Sequence, residues 1–162
     1  MLGIRGEDTM EVVEAPRYPR WFSGENVEAA LFIAGGITDC PPWQAELIEA
    51  LGDIDMVILN PRREKWPRNG DEAEIVRQIK WEFQMLQQAS AISFWFPKET
   101  VCPITLYELG RAAAVNKTLF VGAHPEYPRR LDVETQLSLI RPHVVVVYSL
   151  ADLAKEIRGE FA

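Results

Sequence analysis

Two glutamates, Glu82 and Glu108, combine residue type and position in a way that could do chemistry. Glu82 lies in QIKWEFQMLQ (78–87), within a helix predicted over about 71–90. At roughly 100° per residue, Ile75, Ile79, Phe83 and Leu86 share one apolar stripe and Glu82 falls inside it, while Arg77, Lys80, Gln84, Gln87 and Gln88 fall opposite. A carboxylate there is either paired in the core or looks into a cavity, and apolar surroundings would raise its pKa. Glu108, in PITLYELG (103–110), is expected in the first turn of the next helix, where the positive end of the helix dipole favours an ionised carboxylate. Two carboxylates in opposed environments make an acid and a nucleophile, the pair that cleaves a glycosidic bond through an oxocarbenium-like transition state. The bland alternatives are a buried ion pair with a loop arginine for Glu82, and a capping box of Thr105 with Glu108.

The elements that must position these residues alternate from residue 31 onward. LFIAG (31–35), DMVIL (55–59), AISFWF (91–96), TLFVG (118–122) and HVVVVY (143–148) read as strands; stretches near 42–51, 71–90, 104–116, 132–140 and 150–158 read as helices. Five such βα units imply an α/β three-layer sandwich with a five-stranded, mainly parallel sheet in flavodoxin-like (Rossmann-like) order 2-1-3-4-5. Its ligand crevice would open where the chain leaves LFIAG and AISFWF, at GGITDCPPW and PKETVCPITLYELG. Residues 1–30, with Val12, Val13 and the turn-rich APRYPRWFSGEN, are expected as an arm or edge strand packed on a single domain spanning 31–162.

Composition narrows the class. The 162 residues are 48% hydrophobic and 25% charged, ordinary globular usage that leaves no need for a disulfide or metal to complete a core. With 17 basic against 24 acidic residues the net charge is -7, which argues against nucleic acid and anionic membranes as partners. The N-terminus has no secretory pattern and no run reaches 18 apolar residues, so a cytoplasmic protein is expected. Cys40 and Cys102 stand in no metal-like spacing.

LFIAGGITD, WEFQMLQQASAISFWF and PITLYELGRAAAVNKTLFVG, with NPRREKW and QIKWE between them, resemble the nucleoside 2-deoxyribosyltransferases, and more closely their deoxyribosyltransferase-like branch, over about residues 31–125. The resemblance implies a transferase of nucleotide metabolism that works on the N-glycosidic bond of 2′-deoxynucleosides or nucleotides by double displacement. Glu108 would be the nucleophile that holds the sugar, and Glu82 would assist protonation of the base, so that Glu82 faces the substrate cavity. No cofactor is implied. The partners implied are a nucleoside or nucleotide, a free nucleobase, and further copies of the chain in a homo-oligomer, dimer or higher. Where better-studied members carry a tyrosine on the first strand and an aspartate about six residues before the nucleophile, this chain has Leu31 or Phe32 and Cys102. Hydrolysis of a nucleoside 5′-monophosphate and a non-catalytic nucleotide-binding module therefore stand as alternatives.

Further residues could bind substrate. Arg62 and Arg63 of NPRREKWPR, with Lys65 and Arg68, could hold a 5′-phosphate or pair with loop carboxylates. Trp66, Trp81 and Trp95 could stack on a base or pack in the core. Gly35 and Gly36 allow close backbone approach to a ligand, and Asp39 could bond a base or sugar, or cap the following helix. Cys102 at a helix start suggests a Cys–His hydrolase only remotely, since neither His124 nor His143 is near it in sequence.

Overall fold

The computed structural model describes residues 10–24, 29–66 and 70–162. Its strands are β1 (Glu11–Glu14), β2 (Ala30–Gly35), β3 (Val57–Asn60), β4 (Ala91–Phe96), β5 (Thr118–Ala123) and β6 (Val146–Val147). Its helices are α1 (Trp43–Ala50), α2 (Glu72–Gln88), α3 (Pro103–Ala113), α4 (Arg130–Ile140) and α5 (Leu150–Phe161), with a 3-10 turn at Arg20–Ser23. The sheet runs β1-β3-β2-β4-β5-β6 with every pair parallel.

This is the expected flavodoxin-like sandwich with one correction: six strands, all parallel, in place of five. The additional strand is β1, whose EVVE pairs with β3 from Glu11 opposite Val57 to Glu14 opposite Asn60 and forms the sheet's edge. The last strand is shorter than its apolar run, because only Val146 and Val147 find partners, Val121 and Gly122 on β5.

Continuous apolar strands arise because helices cover both faces. Along β2 and β4, Phe32, Ala34, Ile92, Phe94 and Phe96 point into one core, shared with Trp81 and Met85 of α2, Leu109 of α3 and Leu137 of α4. Leu31, Ile33, Ala91 and Trp95 point into the other, shared with Trp43 and Leu47 of α1 and Leu153 and Ile157 of α5.

Helix α2 turns differently from its hydrophobic pattern. Asp71 caps it, accepting from the Ala73 amide at 3.0 Å. Its buried face is Gln78, Trp81, Met85 and Leu86. The stripe expected to face the core is largely outside: Ile75, Ile79 and Phe83 are 39%, 56% and 45% exposed. Trp81 supplies the packing that this stripe does not, fully buried against Phe32 and donating its indole N–H to the Arg17 carbonyl. Among the described residues no helix is long and apolar enough to cross a membrane.

Candidate active site

Glu82 and Glu108 line one cleft of about 420 Å³ at the carboxyl ends of β2 and β4. This is the topological switch point, where the chain leaves two adjacent parallel strands in opposite directions and the loops part. From the β2 side the cleft is bounded by Gly35, Gly36, Ile37 and Thr38; from the β4 side by Thr100, Cys102 and the start of α3; and Pro61, after β3, also lines it. The volume suits a small ligand such as a nucleoside.

The glycines are required by the protein's own packing. A side chain on Gly35 would collide with the Trp43 indole and the Trp95 carbonyl. One on Gly36 would come within 2.8 Å of Pro97 Cγ and 3.0 Å of Cys102 Sγ. The Gly36 carbonyl is held by Trp43 Nε1 at 2.8 Å and Gln44 Nε2 at 3.2 Å, which fixes the cleft wall.

Helix α3 begins at Pro103, with Cys102 as its N-cap residue in a left-handed conformation (φ 52°). Proline at this start is favourable because its missing N–H would have had no helical partner. Thr105 and Glu108 therefore do not form a capping box, and Glu108 lies in the second turn. Its carboxyl is not held low by the helix terminus as expected. Burial, with the Glu82 charge adding to it and Arg111 opposing, pushes it up to about 8. Glu82 is also raised, by burial, against the pull of a hydrogen bond from Gln78 and the charge of Arg63. The two carboxylates thus share a poorly solvated cleft in which the second negative charge is hard to place.

The other candidates are distributed as follows. Arg62 staples two loops: it donates to the carbonyls of Pro41 (3.0 Å) and Cys40 (3.2 Å) and to Gln44 Oε1 (3.0 Å). Arg63 is buried, donating from Nε to Gln78 Oε1 at 2.8 Å and pairing with Glu74 at 3.0 Å, with Trp66 stacked 4.8 Å from its guanidinium carbon. Neither arginine lines the cleft; Arg62 is engaged by its loop partners, and Arg63 is engaged through Nε and Nη1 while its Nη2 is buried without a partner. Trp95 is turned away into the core under α1 and α5, because alternation along β4 sends it to the opposite face from Phe94 and Phe96. Asp39 sits exposed in a left-handed turn (φ 57°), and the N-cap of α1 is Pro42. Arg68 lies outside the described residues.

The thiol route does not fit the cleft. Burial, with Cys40 and Glu99 adding to it, pushes Cys102 up to about 12, so it is not a thiolate, and neither histidine lines the cleft. Among the described residues no three of His, Cys, Asp and Glu cluster as metal ligands would.

Sequence reasoning missed Gln78, which is buried yet polar and touches Glu82. Its signal was the four-residue spacing to Glu82, which puts the two side chains one above the other on a helix.

The profile of a family described as "Nucleoside 2-deoxyribosyltransferase like" matches residues 28–127, a segment running from just before β2 to just after β5 and including both glutamates. No curated protein matches the sequence.

Proposed function

Starting from a chain that belongs to the nucleoside 2-deoxyribosyltransferase-like family, we propose that this protein cleaves the N-glycosidic bond of a 2′-deoxynucleoside by double displacement and transfers the sugar to a second base. The observation that carries the reading is the convergence of two half-buried carboxylates, Glu82 from α2 and Glu108 from α3, on one nucleoside-sized cleft.

The pair works with a single shared proton. In the free enzyme that proton is favoured on Glu108, whose carboxyl is raised to about 8. When substrate binds, Glu108 passes the proton to Glu82 and its carboxylate attacks the anomeric carbon. As the C–N bond breaks, the proton moves from Glu82 to the departing base, leaving a neutral glycosyl ester on Glu108 and a carboxylate on Glu82. An incoming base reverses the steps: its nitrogen attacks the anomeric carbon, its proton goes to Glu82, and the ester bond to Glu108 breaks. Two inversions give retention.

Nucleosides are favoured over 5′-monophosphates in this reading. Arg62 and Arg63 are engaged by carbonyls, Gln44, Gln78 and Glu74, and a phosphate in the cleft would meet two carboxylates. A homo-oligomer is also part of the proposal. Ile79 and Phe83 on α2 and Ile104 and Tyr107 on α3 are exposed beside the glutamate-bearing faces of those helices, and a second copy covering them would exclude water from a cleft that must favour transfer over hydrolysis.

The test is chromatographic. Wild type and Glu108→Ala are incubated with deoxynucleosides and their 5′-monophosphates, with and without an acceptor base. Acceptor-dependent exchange of the base that disappears in Glu108→Ala, with a 2-deoxyribosyl adduct on Glu108 by mass spectrometry, is the expected result. Release of base without acceptor would make the protein a hydrolase, and turnover with no adduct on Glu108 would sink the double displacement.

A further inference from the structure

We propose that Gln78 and Arg63 are positioning residues that decide which member of the Glu82–Glu108 pair carries the shared proton. The role in turnover rests on the glycosyl-transfer reading; the protonation it sets does not.

Four side chains form a line from the solvent edge of α2 to the cleft: Glu74, Arg63, Gln78 and Glu82. Glu74, Gln78 and Glu82 are spaced by four residues and stack along one side of the helix, and Arg63 enters between the first two from the loop after β3. Gln78 is 5% exposed and makes three hydrogen bonds. Its Oε1 accepts from Arg63 Nε at 2.8 Å, and its Nε2 donates to the Pro61 carbonyl at 2.8 Å and to Glu82 Oε1 at 3.0 Å.

The orientation of that amide follows from its neighbours. A guanidinium can only donate and a peptide carbonyl can only accept, so Gln78 must turn its oxygen to Arg63 and its NH₂ to Pro61. The remaining N–H can then only point at Glu82, and Glu82 Oε1 must accept. Arg63 is itself held rigid, with a side chain 7% exposed, by Glu74 and by the face of Trp66. A buried cation, relayed through one polarised amide, thus favours the carboxylate form of Glu82.

Glu108 has no such donor among the described residues. The charged groups that bear on it are Glu82 from α2 and Arg111 on its own helix; the one that bears on Glu82 is Arg63 from the loop, with the Gln78 amide beside it. The proton therefore stays on Glu108 at rest, and Glu82 is left as the acceptor that receives it when substrate arrives. Neither Gln78 nor Arg63 lines the cleft, so neither is expected to touch substrate.

The experiment is a carbon-13 NMR titration of the glutamate side-chain carboxyls, which needs no substrate, on wild type, Gln78→Leu, Arg63→Met and Arg63→Lys. In Gln78→Leu and in Arg63→Met, the Glu82 midpoint should rise by about one pH unit or more. The Glu108 midpoint should fall, because its neighbour is then neutral over more of the range. Arg63→Lys, which keeps the charge, should restore most of the wild-type pattern. Unchanged midpoints in either folded variant overturn the proposal, and Arg63→Met decides it alone if Gln78→Leu does not fold. A kinetic companion follows kcat and KM against pH with a deoxynucleoside: a shifted limb in kcat with KM unmoved is the signature of positioning, whereas a rise in KM alone would overturn it. Failure of wild type to release base would refute the glycosyl-transfer reading and leave the titration result standing.

Discussion

Burial, and after it the charge of Glu82 on α2, raises the carboxyl of Glu108 on α3. The two helices touch where the Arg111 guanidinium lies 4.9 Å from the centre of the Phe83 ring. Removing the Glu82 charge should therefore lower the Glu108 midpoint, yet leave it above 4.5, because burial is the larger cause of its elevation. Glu82→Gln is expected to show this in a carboxyl titration. It should also slow base exchange by about 10²-fold or more, the usual cost of losing a proton-transfer group. An unshifted Glu108 midpoint would mean that the two groups do not interact.

Stability should carry the mark of the same residue. Glu108 binds its proton more tightly in the folded chain than in the unfolded one, where its value is near 4.5. The stability this contributes is complete below that value and is lost as pH rises through about 8. Glu108→Gln has no such proton to lose, so its stability relative to wild type should grow across that window, by up to about 4 kcal/mol at roughly 1.4 kcal/mol per pH unit. Urea melts at pH 5 and pH 8.5 check it; a constant difference would contradict the assigned burial of the carboxyl.

Arg62 is expected to matter for stability and not for phosphate recognition. Arg62→Ala would remove its side-chain bonds to Pro41, Cys40 and Gln44, loosening the loop after β2 at a cost of about 1–3 kcal/mol. The ratio of kcat/KM for a deoxynucleoside to that for its 5′-monophosphate should stay the same. A selective loss of the monophosphate would show that Arg62 leaves its loop partners to bind phosphate.

The exposed apolar stripe on α2 predicts self-association. Ile79→Asp and Phe83→Asp alter side chains that are already 56% and 45% exposed, so the protomer should remain folded. Sedimentation velocity at micromolar concentration should show an oligomer for wild type and a shift toward monomer for both variants. A monomeric wild type would leave the cleft uncovered and remove this part of the proposal.

The layered fold was legible in the chain because its cause is local and repeated. Short apolar runs such as LFIAG and AISFWF can bury both faces only between two layers of helices, and helical segments between them force parallel crossovers. That logic also located the cleft, since GGITD and PKETVCP follow the two strands that become adjacent β2 and β4. The edge strand β1 was less visible, because two valines flanked by glutamates specify a strand only when β3 offers an unpaired edge.

Helix α2 marks the limit of what pattern can decide. Periodicity orders side chains around a helix, but it does not say which arc turns toward the sheet. Apolar Ile79 went outward, and polar Gln78 went inward to partners 15 and 17 residues away, Arg63 and the Pro61 carbonyl. Glu82 and Glu108 could be picked out as an unusual pair from sequence, since an acid in an apolar helix and an acid at a crevice helix are local facts. Their protonation could not, because desolvation and the mutual repulsion of two charges depend on how closely two helices separated by a strand come to lie. The sequence by itself determined the order of elements and the identity of the two acids. Only the tertiary structure decided that they share one cleft, that burial raises both carboxyls, and that a glutamine and an arginine stand behind Glu82, because each of these is set by distances between segments that no local pattern encodes.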